Sequence, residues 1–209
     1  MSTLAVVILN LNGLNYLKSF LPQVVACSRP HEVIVADNGS SDGSVQWIRK
    51  HVPNVRIIEF PENYGFCKGY NEDLRQCEAD YYVLLNSDVE VTAGWIDPML
   101  EIFANEPEVA AIQPKMLNFH DRDQFEYAGA AGGYIDAWGY PFCRGRIFKY
   151  LEQDTGQYDD VVDIFWASGA CMFVRATLYH DFGGLDDDLF AHMEEIDLCW
   201  RAKNLGHHI

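Results

Sequence analysis

Apolar residues fall in short unbroken runs, separated by stretches in which they recur at helical spacing. Leu4–Leu9, Glu32–Asp37, Val55–Phe60 and Tyr81–Leu85 are the runs. Asn15–Cys27, Ser44–His51, Phe66–Gln76 and Trp95–Asn105 carry the helical spacing, and Val109–Gln113 returns to a strand pattern. Strands without polar alternation bury both faces. The pattern therefore predicts an α/β fold, with a mostly parallel, Rossmann-like sheet flanked by helices. From Leu117 to Asp160 the pattern breaks into a stretch rich in Gly and aromatic residues, which reads as a long loop, functional or mobile. A strand at Cys171–Arg175 and a helix at Glu195–Leu205 follow. A single domain over residues 1–209 is expected, with halves of about 1–116 and 117–209. Gly206 reads as a helix C-cap and Ile209 as the start of another strand, so the expectation is a longer parent chain.

Ligands of such sheets sit beyond the C-terminal strand ends. The residues just after each strand should then be the chemically loaded ones. They are Asn10 and Asn12, then Asp37-Asn38-Gly39, then Glu62-Asn63-Tyr64-Gly65, then Asn86-Ser87-Asp88.

Charge sharpens this picture. The formal net charge is −16, from 15 basic and 31 acidic residues, which argues against a nucleic-acid partner. It fits either an ordinary acidic cytoplasmic protein or an acidic cleft that concentrates divalent cations. Six scattered cysteines without a CxxC pair read as reduced, mostly buried thiols. The run Leu4–Leu9 lacks a basic flank and stops at Asn10, too short for a membrane span.

Each loaded segment has a chemical reading and a plain one. Asp37 can accept a base N–H, while Asn38, Ser41 and the following helix start suit a ribose or phosphate; the same residues are ordinary turn and cap formers. Gly65 and Gly69 allow close approach of a flat ligand beside Asn63 and Asn71, or simply a tight turn. Asp88, after Asn86 and Ser87, can anchor a metal on a diphosphate or open a turn. His192-Met193-Glu194-Glu195-Ile196-Asp197 holds three carboxylates in four residues. Such acids favour a helix N-terminus, and crowding also raises a carboxylate pKa toward general-base duty. Trp166 is either an acceptor platform or core. Arg144 and Arg146 are either phosphate clamps or surface ion pairs.

The order of these motifs resembles family 2 glycosyltransferases of the GT-A fold, near the bacterial rhamnosyltransferases. The resemblance runs from Val6 to Gly206. It is carried by Val-Val-Ile-Leu-Asn-Leu-Asn12, Val-Ile-Val-Ala-Asp-Asn-Gly-Ser-Ser-Asp-Gly-Ser44, Glu62-Asn-Tyr-Gly-Phe-Cys-Lys-Gly-Tyr-Asn71, Leu84-Leu-Asn-Ser-Asp88 and Phe190-Ala-His-Met-Glu-Glu-Ile-Asp-Leu-Cys-Trp-Arg201. It implies an inverting transfer from a UDP or dTDP sugar to a glycan or lipid-linked acceptor hydroxyl. The implied setting is bacterial surface polysaccharide synthesis, in the cytoplasm or at the inner face of the plasma membrane.

By position, Asp37 would bind the base, and Asn10, Asn63 and Asn71 would shape the base and ribose pocket. Asp88 would hold Mn²⁺ or Mg²⁺, and Glu195 would be the base, ahead of Glu194. There are three departures from the family pattern. Asn86 replaces the first Asp of the metal motif. Glu195 stands where Asp is usual. His207 and His208 come early for the family's later His. A sugar-nucleotide pyrophosphorylase-like nucleotidyltransferase and a non-catalytic nucleotide-sugar-binding domain are the alternatives. A receiver-like module is disfavoured because Asn10 and Asn12 are not acidic.

Overall fold

The computed structural model describes residues 2–209. Its strands and helices are β1 Leu4–Asn10, α1 Leu14–Cys27, β2 Glu32–Asp37, α2 Ser44–His51, β3 Arg56–Glu59, α3 Phe66–Leu74, β4 Tyr81–Leu85, α4 Asp97–Asn105, β5 Ala111–Ile112, β6 Gly133–Ile135, β7 Pro141–Cys143, β8 Arg146–Ile147, β9 Tyr150–Leu151, β10 Cys171–Arg175, α5 Ala176–Asp181 and α6 Glu194–Asn204. The main sheet runs β3-β2-β1-β4-β10-β5. β1 pairs in parallel with β2 and β4, and β2 with β3. β10 is antiparallel to both β4 and β5, which makes β5 parallel to β4.

The unbroken apolar runs are buried on both faces as their composition requires. Ala5 and Val7 face a core shared with Tyr70, Tyr179 and Cys199, while Leu4, Val6 and Ile8 face Leu17, Ile48 and Phe103. Five of the six cysteines are buried and all are free. Among the described residues no helix is long and apolar enough to cross a membrane.

The stretch from Leu117 to Asp160, read from sequence as a loop, contains a four-stranded antiparallel meander, β6-β7-β8-β9. Its strands are two or three residues long, too short for a period-two pattern to register. α5 and a 3-10 turn at Asp187–Leu189 likewise lay outside the elements read from sequence.

One buried charge stands out. Asp73 on α3 is inaccessible to solvent, one of its oxygens has no partner, and the other faces the Cys77 thiol at 3.7 Å. Burial pushes its pKa up to about 7, against a weaker pull from Arg56. A carboxyl whose folded pKa lies above its unfolded value adds stability below the unfolded pKa. That stability is lost as pH rises through about 7. Asp73→Asn should therefore be more stable than the parent at pH 8, by on the order of 2 kcal/mol, with the gap closing toward pH 4. Urea unfolding at both pH values checks this; an equal pH dependence in the two proteins would refute the assignment.

Candidate functional site

The C-terminal ends of β2, β1 and β4 lie side by side, because Asn10 pairs with Asp37 and Ile8 with Leu85. The antiparallel β10 begins at the same edge, where the Asn86 N–H donates to the Ala170 carbonyl at 2.9 Å. Four loops and the start of β10 therefore converge on one edge.

Asn10 is completely buried. Its Nδ2 donates to Asp37 Oδ1 at 2.9 Å and lies 3.1 Å from both Ser40 Oγ and Ser44 Oγ. Its Oδ1 accepts the Gly13 N–H at 3.2 Å. Asp37 Oδ2 accepts the Ser40 N–H at 3.0 Å, and each Asp37 oxygen keeps a second lone-pair direction. Asn12, with φ +52°, takes the Ser41 N–H at 2.9 Å. Asp42, which motif reading passed over, joins the helix starts. It accepts from Leu14 N at 2.8 Å and from both the backbone and the hydroxyl of Ser44. Desolvation opposes the charge on Asp42, but these hydrogen bonds outweigh it and hold the carboxyl below its ordinary range. An acid two residues before a helix start was the available signal.

Asn38 Nδ2 donates to Asn63 Oδ1 and to the Gly65 carbonyl, and its Oδ1 takes the Tyr64 N–H at 2.8 Å, so it latches the third loop onto the second. Gly65 has φ +81°, and a Cβ there would stand 2.8 Å from the Phe190 ring. That contact ties the third loop to the segment before α6. The Phe190 carbonyl strengthens the tie by accepting from the N–H groups of Phe66 and Cys67 at 3.0 and 3.3 Å. Phe190, His192 and Met193 all have positive φ, so this segment is strained and is held by its contacts.

The segment delivers the acidic box. Asp197 is neutralised by Arg201 at 2.6 Å. That leaves Glu194, which is buried, and Glu195, which is half-buried; each has one enclosed oxygen with no partner. Burial, then the neighbouring Glu194 charge, pushes Glu195 up to about 7. Burial raises Glu194 as well. Desolvation thus overrides the helix N-terminus, which would favour ionised acids. Glu194 Oε1 faces Gly169, at the start of β10 on the loaded edge; a Cβ there would stand 3.9 Å away.

Asp88 is exposed on this edge and has no hydrogen-bond or ion-pair partner among the described residues. Ser87 Oγ lies near Gly13, 3.4 Å from where a Cβ would stand. Among the described residues no three His, Cys, Asp or Glu side chains gather into a cation site. A free carboxylate with hydroxyl and amide neighbours fits a hard divalent cation only if a ligand supplies most of its oxygens.

Several expectations are corrected. Asn71 does not open onto the edge. Its Nδ2 donates to the Leu185 carbonyl and Asp187 Oδ1, both at 2.7 Å, and its Oδ1 accepts from Tyr179 Oη and Leu185 N. Its four hydrogen-bonding positions are thus filled, three by the segment leading to α6 and one by Tyr179 of α5. Trp166 is core rather than platform. Its ring covers Gly133 so closely that a Cβ there would come within 2.1 Å, and its Nε1 donates to the Tyr134 carbonyl. Arg144 is held by the Ala131 carbonyl and Asp160, and Arg146 lies over the Tyr127 ring at 4.2 Å, so both are engaged within the second half. His208 bridges Val109 just before β5. Because β5 is parallel to β4, the two terminal histidines sit at the opposite edge from Asp88. A cavity of about 720 Å³ lies beside β5, walled by Met99, Ile112, Tyr158 and Ile164. Its wall includes none of the acidic box or the loaded loops.

A relative from Mycobacterium tuberculosis, N-acetylglucosaminyl-diphospho-decaprenol L-rhamnosyltransferase, is 28% identical, with 91% of this chain and 67% of the relative covered. Among solved structures, a Pyrobaculum calidifontis mannosyltransferase in complex with GDP-Man and Mn²⁺ superposes with a TM-score of 0.67 at 14% identity. The match covers 99% of this chain and 53% of that one. GalNAc-T7 with UDP, GalNAc and Mn²⁺ superposes at 0.74 and 14% identity, over 100% of this chain and 42% of that one. The chain thus spans about half the length of these structures, and the sheet they share is the α/β GT-A fold. The model of glycosyl transferase family 2 matches residues 5–179, and on that match the chain belongs to glycosyl transferase family 2.

Proposed function

We propose that this chain is the donor-binding and catalytic domain of an inverting glycosyltransferase. It moves a sugar from a UDP or dTDP sugar to an acceptor hydroxyl in bacterial surface polysaccharide synthesis, at the inner face of the plasma membrane. The observation that carries the reading is the Glu194–Glu195 pair, which keeps unpartnered oxygens and a raised Glu195 pKa beside the loaded edge. The printed name of the mycobacterial relative, with its diphospho-decaprenol acceptor, supports a lipid-linked acceptor. Family membership favours transfer over the nucleotidyltransferase alternative.

In this mechanism Asp37 accepts a base N–H through its free lone pairs, and Asn63 offers its amide to the ribose. Asp88 is the residue that would hold a divalent cation, which offsets charge on the departing diphosphate. Glu195 takes the proton from the acceptor hydroxyl. The acceptor oxygen then bonds to the anomeric carbon from the face opposite the diphosphate. The bond from that carbon to the diphosphate oxygen breaks, and the nucleoside diphosphate leaves with the electron pair. A base with a pKa of about 7 matches both protonation states near neutral pH.

Two experiments bear on this. In calorimetry with UDP, dTDP, GDP and CDP, each with Mn²⁺ and with EDTA, a pyrimidine diphosphate should bind in a metal-dependent way. Asp88→Ala should weaken that binding at least ~10-fold. Equal binding by Asp88→Ala would remove Asp88 from the site. For transfer, Glu195→Gln should keep donor binding and lose about 100-fold or more in kcat. The parent rate should fall below about pH 7 as Glu195 protonates. Glu194→Gln should move that limb to lower pH, because one source of the raised pKa is gone. If Glu194→Gln abolishes transfer while Glu195→Gln does not, the base is Glu194. If neither matters, a non-catalytic binding domain becomes the better reading.

A further inference from the structure

The meander β6–β9 presents a surface that the strand-end chemistry does not use. In an antiparallel meander the β6–β7 and β8–β9 turns lie at the same end of the sheet, and the β7–β8 turn at the other. The shared end carries Trp138 and Tyr140 on one tip and Phe148 and Lys149 on the other. Trp138 and Phe148 are each 86% exposed, and Tyr140, Ile147 and Tyr150 are exposed around them.

Both tips are built to hold this arrangement. Asp136 closes its turn, where Oδ1 accepts the N–H groups of Trp138 and Tyr140 at 2.8 and 2.9 Å. Phe148 sits at φ +53°, a conformation unfavourable for a bulky residue, and it gains no burial there. Neither Trp138 nor Phe148 pairs with another ring among the described residues. Charge sets this patch apart from the rest of the molecule. Residues 136–151 contain Arg144, Arg146 and Lys149 against one acid, Asp136, within a chain of net charge −16. Arg144 is paired with Asp160 and Arg146 packs over Tyr127, which leaves Lys149 as the exposed cation of this end.

We propose that these two tips form a contact surface for a lipid bilayer bearing anionic headgroups. Trp and Tyr place an apolar ring and a polar edge at the depth where acyl chains meet headgroups. Lys149 beside them is drawn to the anionic surface. A protruding pair of tips suits a soft, deformable medium, whereas a sugar or a folded partner calls for a concave or flat face that surrounds the rings. The proposal deepens the membrane-peripheral part of the function above by naming its surface. Vesicle binding is read without any transfer assay, so it fails or stands apart from the donor chemistry.

The test is cosedimentation with phosphatidylcholine vesicles, pure and containing roughly one third phosphatidylglycerol. The unmodified chain should bind the anionic vesicles and bind the neutral ones at least several-fold more weakly. Combined Trp138→Ser and Phe148→Ser should lose at least ~10-fold of that binding while nucleotide calorimetry stays unchanged. Lys149→Glu, at an exposed turn where folding is not at stake, should remove the preference for anionic lipid. No binding by the parent chain, or equal binding by the double variant and by Lys149→Glu, overturns the proposal. It is equally overturned if the double variant dissociates a dimer seen in ultracentrifugation while vesicle binding persists.

Discussion

The amide of Asn10 sits where β1 ends, sealed from solvent, and reaches across to the end of β2. A buried amide must satisfy its hydrogen-bonding groups or cost the fold several kilocalories per mole. Here Asp37, Ser40, Ser44 and Gly13 satisfy it. That single requirement brings the first two loops and the starts of α1 and α2 into one rigid unit. Asn38 extends the unit to the third loop, and the pairing of Asn86 with Ala170 extends it to β10. The loaded edge is therefore a network of buried amides as much as a row of ligand groups.

The acidic box depends on the same logic at longer range. Asn71 on α3 uses three of the four hydrogen-bonding positions of its amide to hold residues 185–187 and the fourth to accept from Tyr179, and Gly65 takes the Phe190 ring. Together they support a segment with three left-handed non-glycine residues, a strained conformation that persists only where its surroundings over-determine it. The result is that two adjacent carboxylates stay partly enclosed and unpaired. Burial then sets their chemistry more than the helix dipole does.

The main sheet and the meander differ in kind. The main sheet gathers the loops after β1 to β4 on one edge. The meander region carries ring contacts and cation–ring pairs, such as Arg146 over Tyr127 and Arg144 over Tyr158. It keeps its own arginines engaged and exposes aromatic side chains at one end. That division explains why the cavity beside β5 and the chemically loaded edge are separate places.

Hydrophobic periodicity alone was enough to read β1 to β4, the helices between them and the edge on which the loops gather, because buried parallel strands must be continuously apolar. The placement of Asn10, Asp37, Asn63 and Asp88 at that edge was legible because strand-end position depends only on local order along the chain, whereas the Glu194–Glu195 pair stood out only as a cluster of acids. Other features were not local. The meander was invisible because its strands are shorter than the period that would reveal them. Trp166 and Asn71 carry side chains equally suited to binding a ligand or holding a fold, and only the neighbours brought by tertiary packing, Gly133 in one case and Leu185 in the other, decided between those uses. The burial that raises the Glu195 pKa follows the same rule, since it depends on what surrounds the side chain in space rather than along the chain.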